Sequence, residues 1–180
     1  MRRPVLVASM VALVLVGALS VLLATRHPVS DATSANSPLV GRPAPALVGP
    51  YLGRSGTFDL AAHRGQIVVV NFWASWCVPC QLEAANLSTV AWAERHRGVD
   101  LVGVVFNDTV AAALAFAHHY GSLYPSIVDR GGVLANRYGV ISPPTTFVVG
   151  RTGRVVAYLV GPLGTAQLER VIARVRAQGT

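Results

Sequence analysis

A chain of 180 residues has room for one ordinary domain and an appendage, and its formal net charge of +7 raises the question of nucleic acid. All 15 basic side chains are arginine; Arg2, Arg3 and Arg26 flank an apolar segment and the others are scattered between acids, so neither nucleic-acid binding nor lysine chemistry is expected. The two cysteines, Cys77 and Cys80, are too few for a disulfide scaffold or a four-ligand zinc site, and their Cys-x-x-Cys spacing points to redox work.

In chain order, Arg2 and Arg3 precede an uncharged apolar run from Pro4 to Ala24. A helix of that length spans about 30 Å, the thickness of the hydrocarbon core of a membrane. Arginines ahead of the run predict a cytoplasmic N-terminus and an extracytoplasmic remainder. Residues 1–27 are therefore expected to form a single-pass cell-membrane anchor. The alternative is a signal peptide cleaved after Ala18, with Val16 at −3, which would give a secreted domain; Leu22 makes cleavage after Ala24 poor. Either outcome exports the domain. Residues 28–39, rich in Ser, Asn, Thr, Asp, Ala and Pro, read as a flexible linker before a domain at 40–180.

Within the domain, Ala46–Val48 and Thr57–Asp59 are weak strand candidates. Gln66–Trp73 is β-branched and apolar on both faces, which predicts a central strand of a parallel sheet covered by helices. Pro79–Arg97 reads as a helix, with Leu82, Ala85, Asn86, Val90 and Ala93 at helical spacing and Gly98 at its end. Leu101–Phe106 is a second buried strand. A helix over Thr109–Tyr120 is capped by Asp108 and stopped by Gly121, and Gly132–Tyr138 is a short helix. Thr145–Val149 and Arg154–Val160 form a hairpin around Arg151-Thr152-Gly153. Thr165–Ala177 closes the chain as a helix with Leu168, Val171, Ile172 and Val175 on one face. A parallel half followed by a hairpin half predicts an α/β domain, a mixed central sheet with helices on both faces, in the order of the thioredoxin fold.

The chemistry lies in Asn71-Phe72-Trp73-Ala74-Ser75-Trp76-Cys77-Val78-Pro79-Cys80, where a strand ends and a helix begins. At a helix N-terminus the free N–H groups and the dipole favour an anion. A thiol there drops from about 8.5 to between about 3.5 and 7.5, which makes Cys77 the exposed nucleophile. Cys80, one turn on, is the shielded resolving thiol, close enough to close a Cys77–Cys80 disulfide. Pro79 is tolerated because a first-turn residue has no helical N–H bond to lose. A metal held by the two cysteines would need help from His63, His96, His118 or His119, and haem attachment needs a His where Gln81 stands. His118 and His119 read as a solvated pair, and Phe72 and Trp73 as core.

This stretch resembles the TlpA-like thiol–disulfide oxidoreductases, which include ResA-like and DsbE (CcmG)-like proteins of cytochrome c maturation. The resemblance runs from about Gly41 to Val175 and takes in Gly41-Arg42-Pro43-Ala44-Pro45, Phe58-Asp59-Leu60, Arg64-Gly65, Trp76-Cys77-Val78-Pro79-Cys80, Tyr124-Pro125, Tyr138-Gly139-Val140 and Pro144-Thr145-Thr146-Phe147. It implies a reductase of disulfides in exported proteins, apocytochrome c among them, fed by a membrane thiol donor and needing no metal or cofactor.

The resemblance also implies an acid beside the cysteines at Glu83; the plainer reading of Glu83 is an acid that complements the helix dipole. Asn71 stands where cytoplasmic thioredoxins have a buried Asp, and a neutral amide cannot shuttle protons, which throws weight on Glu83. Pro144 matches the family's cis-proline, with Pro143, Thr145 and Trp76 completing a substrate-contacting rim. Pro143 departs from the pattern, since it has no N–H to offer a client. Other readings stay open: an exported dithiol oxidase, or a non-catalytic chaperone or metallochaperone on the same fold. A peroxidase is opposed by Ala74 and Val70, which stand where peroxiredoxins have Thr or Ser and Pro.

Overall fold

The computed structural model describes residues 12–18, 33–34 and 36–179. Residues 12–18 are helical and exposed (α1). The rest of the expected anchor lies outside the described residues, among which no helix is long and apolar enough to cross a membrane.

The strands are β1 (Thr33–Ser34), β2 (Val48–Pro50), β3 (Thr57–Asp59), β4 (Ile67–Trp73), β5 (Val99–Val105), β6 (Ser126–Val128), β7 (Thr145–Val149) and β8 (Val155–Val160). The helices after α1 are α2 (Val78–Glu94), α3 (Val110–His119), α4 (Val133–Tyr138) and α5 (Thr165–Ala177). Six strands form one sheet in the order β1-β8-β7-β4-β5-β6, while β2 and β3 make a separate hairpin. β4, β5 and β6 run parallel; β7 and β8 return antiparallel. This is the mixed sheet of a thioredoxin-like domain.

β4 holds the centre because all seven of its residues are buried. Alternation along the strand splits them between two cores. Val68, Val70 and Phe72 join Phe147, Leu134 and Tyr138 under α4 and the β2–β3 hairpin. Ile67 and Val69 join Leu87, Val90, Leu168 and Ile172 under α2 and α5. By the same parity Asn71 points to the α2 side, and this places an amide beneath the redox helix. Each large side chain buried here contributes about 1.5–3 kcal/mol.

The structure moves the buried face of α2. Leu82, Ala85 and Ala93 are exposed, and of the expected positions Val90 is the fully buried one. The true inner stripe is Cys80, Glu83, Ala84, Leu87, Ser88, Val90, Ala91 and Glu94. Two acids on an inner face defeat a reading by hydropathy, because their partners come from elsewhere in the fold: Arg176 of α5 donates to Glu94 Oε2 at 2.7 Å. The cap of α3 also differs. Thr109, not Asp108, accepts the Ala112 N–H, at 3.2 Å. β6 was not expected: three residues after a proline show no alternation, and only pairing with β5 makes them a strand. That pairing explains Gly103, where a Cβ would collide with the Trp73 Nε1–H···Oγ Ser126 hydrogen bond. Within the stretch expected to be a flexible linker, Thr33 and Ser34 pair with Val160 and Leu159, using the otherwise open edge of β8.

Candidate redox site

Residues 74–77 connect β4 to α2, and the loop after β5 ties them down. The Ser75 N–H donates to Asp108 Oδ2 at 2.7 Å, and Trp76 Nε1–H donates to the Asn107 carbonyl at 3.1 Å. The acid expected to cap α3 thus braces the redox loop. Asp108→Ala leaves the part-buried Ser75 N–H without that partner, and the oxidised domain should lose about 1–3 kcal/mol in urea denaturation. An unchanged midpoint would remove Asp108 from the brace.

Cys77 is the N-cap of α2, and its Sγ accepts the Cys80 N–H at 3.2 Å. A first-turn amide therefore points at the sulfur that would carry negative charge. The two cysteines form a disulfide across a Cα–Cα distance of 5.2 Å. One expectation needs correction: in this oxidised state Cys77 is only 3 % exposed and Cys80 only 2 %. Both sulfurs belong to a cluster with Trp73, Ala74, Ala84, Val105 and Phe116, so accessibility does not separate them. What separates them is the amide aimed at Cys77.

Glu83 is 1 % exposed on the same inner stripe as Cys80. Its Oε1 accepts from Asn71 Nδ2 at 2.9 Å and its Oε2 from the Leu163 N–H at 2.8 Å. Asn71 Nδ2 also donates to Thr146 Oγ1, at 3.0 Å. Burial pushes the Glu83 carboxyl up to about 7, against the pull of the Leu163 and Asn71 donors. A helix-dipole acid would sit at the surface with its ordinary affinity; this one is buried, and burial raises its proton affinity. Among the described residues Asn71 Oδ1 is a buried acceptor without a hydrogen-bond partner. The two faces of that amide suit the two states of Glu83. Nδ2 serves the carboxylate, and Oδ1, turned over, would accept from the protonated acid.

The Pro143–Pro144 bond is cis. Thr145 begins β7 opposite Phe72, so this loop lies at the end of the sheet from which β4 runs on to Cys77. Pro143 is half-buried and Pro144 buried, with the Pro144 carbonyl accepting from Gly161 N at 3.0 Å. Thr145 is buried, its backbone is paired in the sheet, and its hydroxyl donates to the Ser142 carbonyl at 2.8 Å. The segments around the disulfide carry exposed apolar side chains. Trp76 is 55 % exposed and Ile141 92 %, with Val78 and Leu82 also exposed.

His63 pairs with Asp100 at 2.7 Å and stacks on Phe58, while His118 and His119 are exposed at the end of α3. Among the described residues no group of three or more His, Cys, Asp or Glu side chains is placed to hold a metal ion. Sequence reasoning missed four parts of the site: Asn71 as the centre of the Glu83 network, the Leu163 N–H, the brace at Asp108, and Ile141. An amide in a strand otherwise apolar on both faces was the one available signal, since buried polar groups take partners. The others depend on loops brought in from elsewhere in the chain.

A thioredoxin-like sheet, a disulfide at a helix N-terminus, and a buried acid on the same helix define a thiol–disulfide oxidoreductase. The chain belongs to the AhpC/TSA family, whose model matches residues 40–158. It is similar to the thiol:disulfide interchange protein HelX of Rhodobacter capsulatus, 36% identical over 136 residues, covering 74% of this chain and 75% of the relative. It is also similar to the thiol-disulfide oxidoreductase ResA of Bacillus thuringiensis, 29% identical over 76% of this chain and 78% of that one. Among solved structures, a DsbE-type thiol:disulfide interchange protein from Chlorobium tepidum superposes with a TM-score of 0.68 at 27% identity, covering 74% of this chain and 94% of the other.

Proposed function

We propose that this domain works outside the cytoplasm as a reductase of disulfides in exported polypeptides, with apocytochrome c before haem attachment as the client class. Its electrons come from a thiol donor in the membrane to which residues 1–27 anchor it. The arginine-flanked apolar run supports the location, and the resemblance to proteins of cytochrome c maturation supports the client and the donor.

The observation that carries the chemistry is Glu83, buried on the inner stripe of α2 and held near neutral affinity. In the reduced protein the Cys77 thiolate attacks one client sulfur and releases the other as a thiolate. Cys80 then gives up its proton, attacks Cys77 Sγ and expels the second client thiolate. Two client thiols form, the Cys77–Cys80 disulfide is restored, and two electrons have moved to the client. The carboxylate of Glu83 is the acceptor for the Cys80 proton and passes it on to one departing thiolate; the other takes a proton from solvent, matching the one Cys77 released when it ionised. The exposed rim of Trp76, Val78, Leu82 and Ile141 suits an unfolded, apolar client segment.

Insulin reduction driven by dithiothreitol tests the catalytic core of this reading. Turnover is expected, and its absence would favour a docking protein without catalysis. The reduction potential of the cysteine pair tests direction: a value near that of cytoplasmic thioredoxin, about −270 mV, fits a reductase, and one near −120 mV an oxidase.

A further inference from the structure

Thr33 is in register with Val160, Val160 with Thr145, and Thr145 with Phe72. One row of Cα partners therefore runs from the N-terminal segment to the strand that leads into Cys77. With strands about 4.8 Å apart, three steps place Thr33 about 14 Å from Phe72. From Thr33 the chain runs down the edge of β8 and is fastened at its far end, where the Gly41 N–H donates to the Val155 carbonyl at 2.8 Å and the Ala44 N–H to the Gly153 carbonyl at 2.9 Å. Because β1 is antiparallel to β8, its N-terminal residue Thr33 stands at the redox end of the sheet, and traced back towards the N-terminus its chain direction points away from the opposite end.

We propose that β1 is an orienting clip: by pairing with β8 it turns the Cys77–Cys80 face towards the bilayer and holds it close, so that the partner it addresses is a dithiol protein at the outer membrane surface. This rests on residues 1–27 being the uncleaved anchor. From residue 27 to Thr33 there are six Cα steps, which reach at most about 22 Å when fully extended. With β1 released, the free tether would run to Gly41, fourteen steps and about 50 Å, and the domain could tumble. Clipped, the domain turns its apolar rim of Trp76, Val78, Leu82 and Ile141 to the side where a membrane partner stands.

The test uses the full chain in phosphatidylcholine vesicles doped with a lipid carrying a nitroxide on its headgroup. Single fluorophores are attached through Ile141→Cys at the redox end or Thr152→Cys at the β7–β8 turn, both exposed positions, in a Cys77→Ser, Cys80→Ser background. The nitroxide should quench the probe at 141 several-fold more than the probe at 152. Thr33→Pro with Ser34→Pro removes the N–H groups of β1 and should level the two. Equal quenching with the native tether, or stronger quenching at 152, overturns the clip. A chain that does not float with the vesicles overturns the anchor and the clip together. Insulin reduction by the chain with native cysteines, with and without the β1 prolines, stands apart from all of this: both should turn over alike, and a failure of both would sink the reductase reading without touching the orientation result.

Discussion

Cys77→Ser should abolish insulin reduction, a loss of a thousandfold or more, whereas Cys80→Ser should stop the cycle one step later with a client attached. The two sulfurs are equally buried in the disulfide, so the difference lies in their electrostatics. The Cys80 N–H points at Cys77 Sγ from 3.2 Å, and the dipole of α2 adds to it. A thiolate is the attacking species, and a hydroxyl with a far higher pKa cannot replace it, which puts the loss on the order of a thousandfold. Cys80→Ser keeps that thiolate and lacks only the group that resolves the mixed disulfide. A disulfide-bearing peptide incubated with each reduced variant separates the cases on a non-reducing gel. The Cys80→Ser protein should accumulate a covalent adduct through Cys77, and the Cys77→Ser protein should form none. Adducts in the reverse pattern would exchange the roles of nucleophile and resolver.

The stability of the oxidised domain should fall as pH rises from about 4.5 to about 7, and Glu83→Gln should flatten that slope. Burial holds the folded carboxyl near 7, above the 4.5 of the unfolded chain. Below 4.5 the acid is protonated in both states and the native state bears no charge there. Between the two values the unfolded chain ionises first, so unfolding is favoured progressively. Above about 7 the full difference of 7 − 4.5 pH units has been lost, about 3 kcal/mol. The sign is opposite to that of an acid held in a salt bridge. Glutamine can keep the fold: its carbonyl accepts from Leu163 N–H, and its amide donates to Asn71 Oδ1 once that side chain turns over, using the buried acceptor that is otherwise without a partner. On the proposed transfer of the Cys80 proton to Glu83, disulfide exchange at pH 7 should slow by about a hundredfold in this variant. The thiol titration should move to lower pH, because a nearby negative charge no longer opposes the thiolate. Urea midpoints across pH 4–8 for both proteins measure the first effect. A parallel pair of curves would mean that Glu83 ionises as freely in the folded domain as in solution.

The strands and helices that carry strong local signals, and the redox pair, are legible in the residues alone. Ile67–Trp73 is legible because β-branched residues apolar on both faces fit little but a covered central strand. Thr165–Ala177 is legible because its apolar stripe is unbroken, with Leu168, Ile172 and Val175 buried as expected. Cys77 and Cys80 are legible because a strand–helix junction with Trp-Cys-x-Pro-Cys spacing carries its chemistry in neighbouring residues. Tertiary structure decided what depends on distant partners. Glu83 and Glu94 face inward on α2 only because Leu163, Asn71 and Arg176 arrive to meet them, and without those donors two carboxylates would belong on the solvent side. Asp108 braces the redox loop instead of capping α3 because Ser75 lies across from it. Ser126–Val128 became a strand, and Thr33–Ser34 a clip, because β5 and β8 offered open edges. Local pattern fixes which groups must be buried or paired; which partner meets each one is set by residues far away along the chain, and only the folded sheet brings them together.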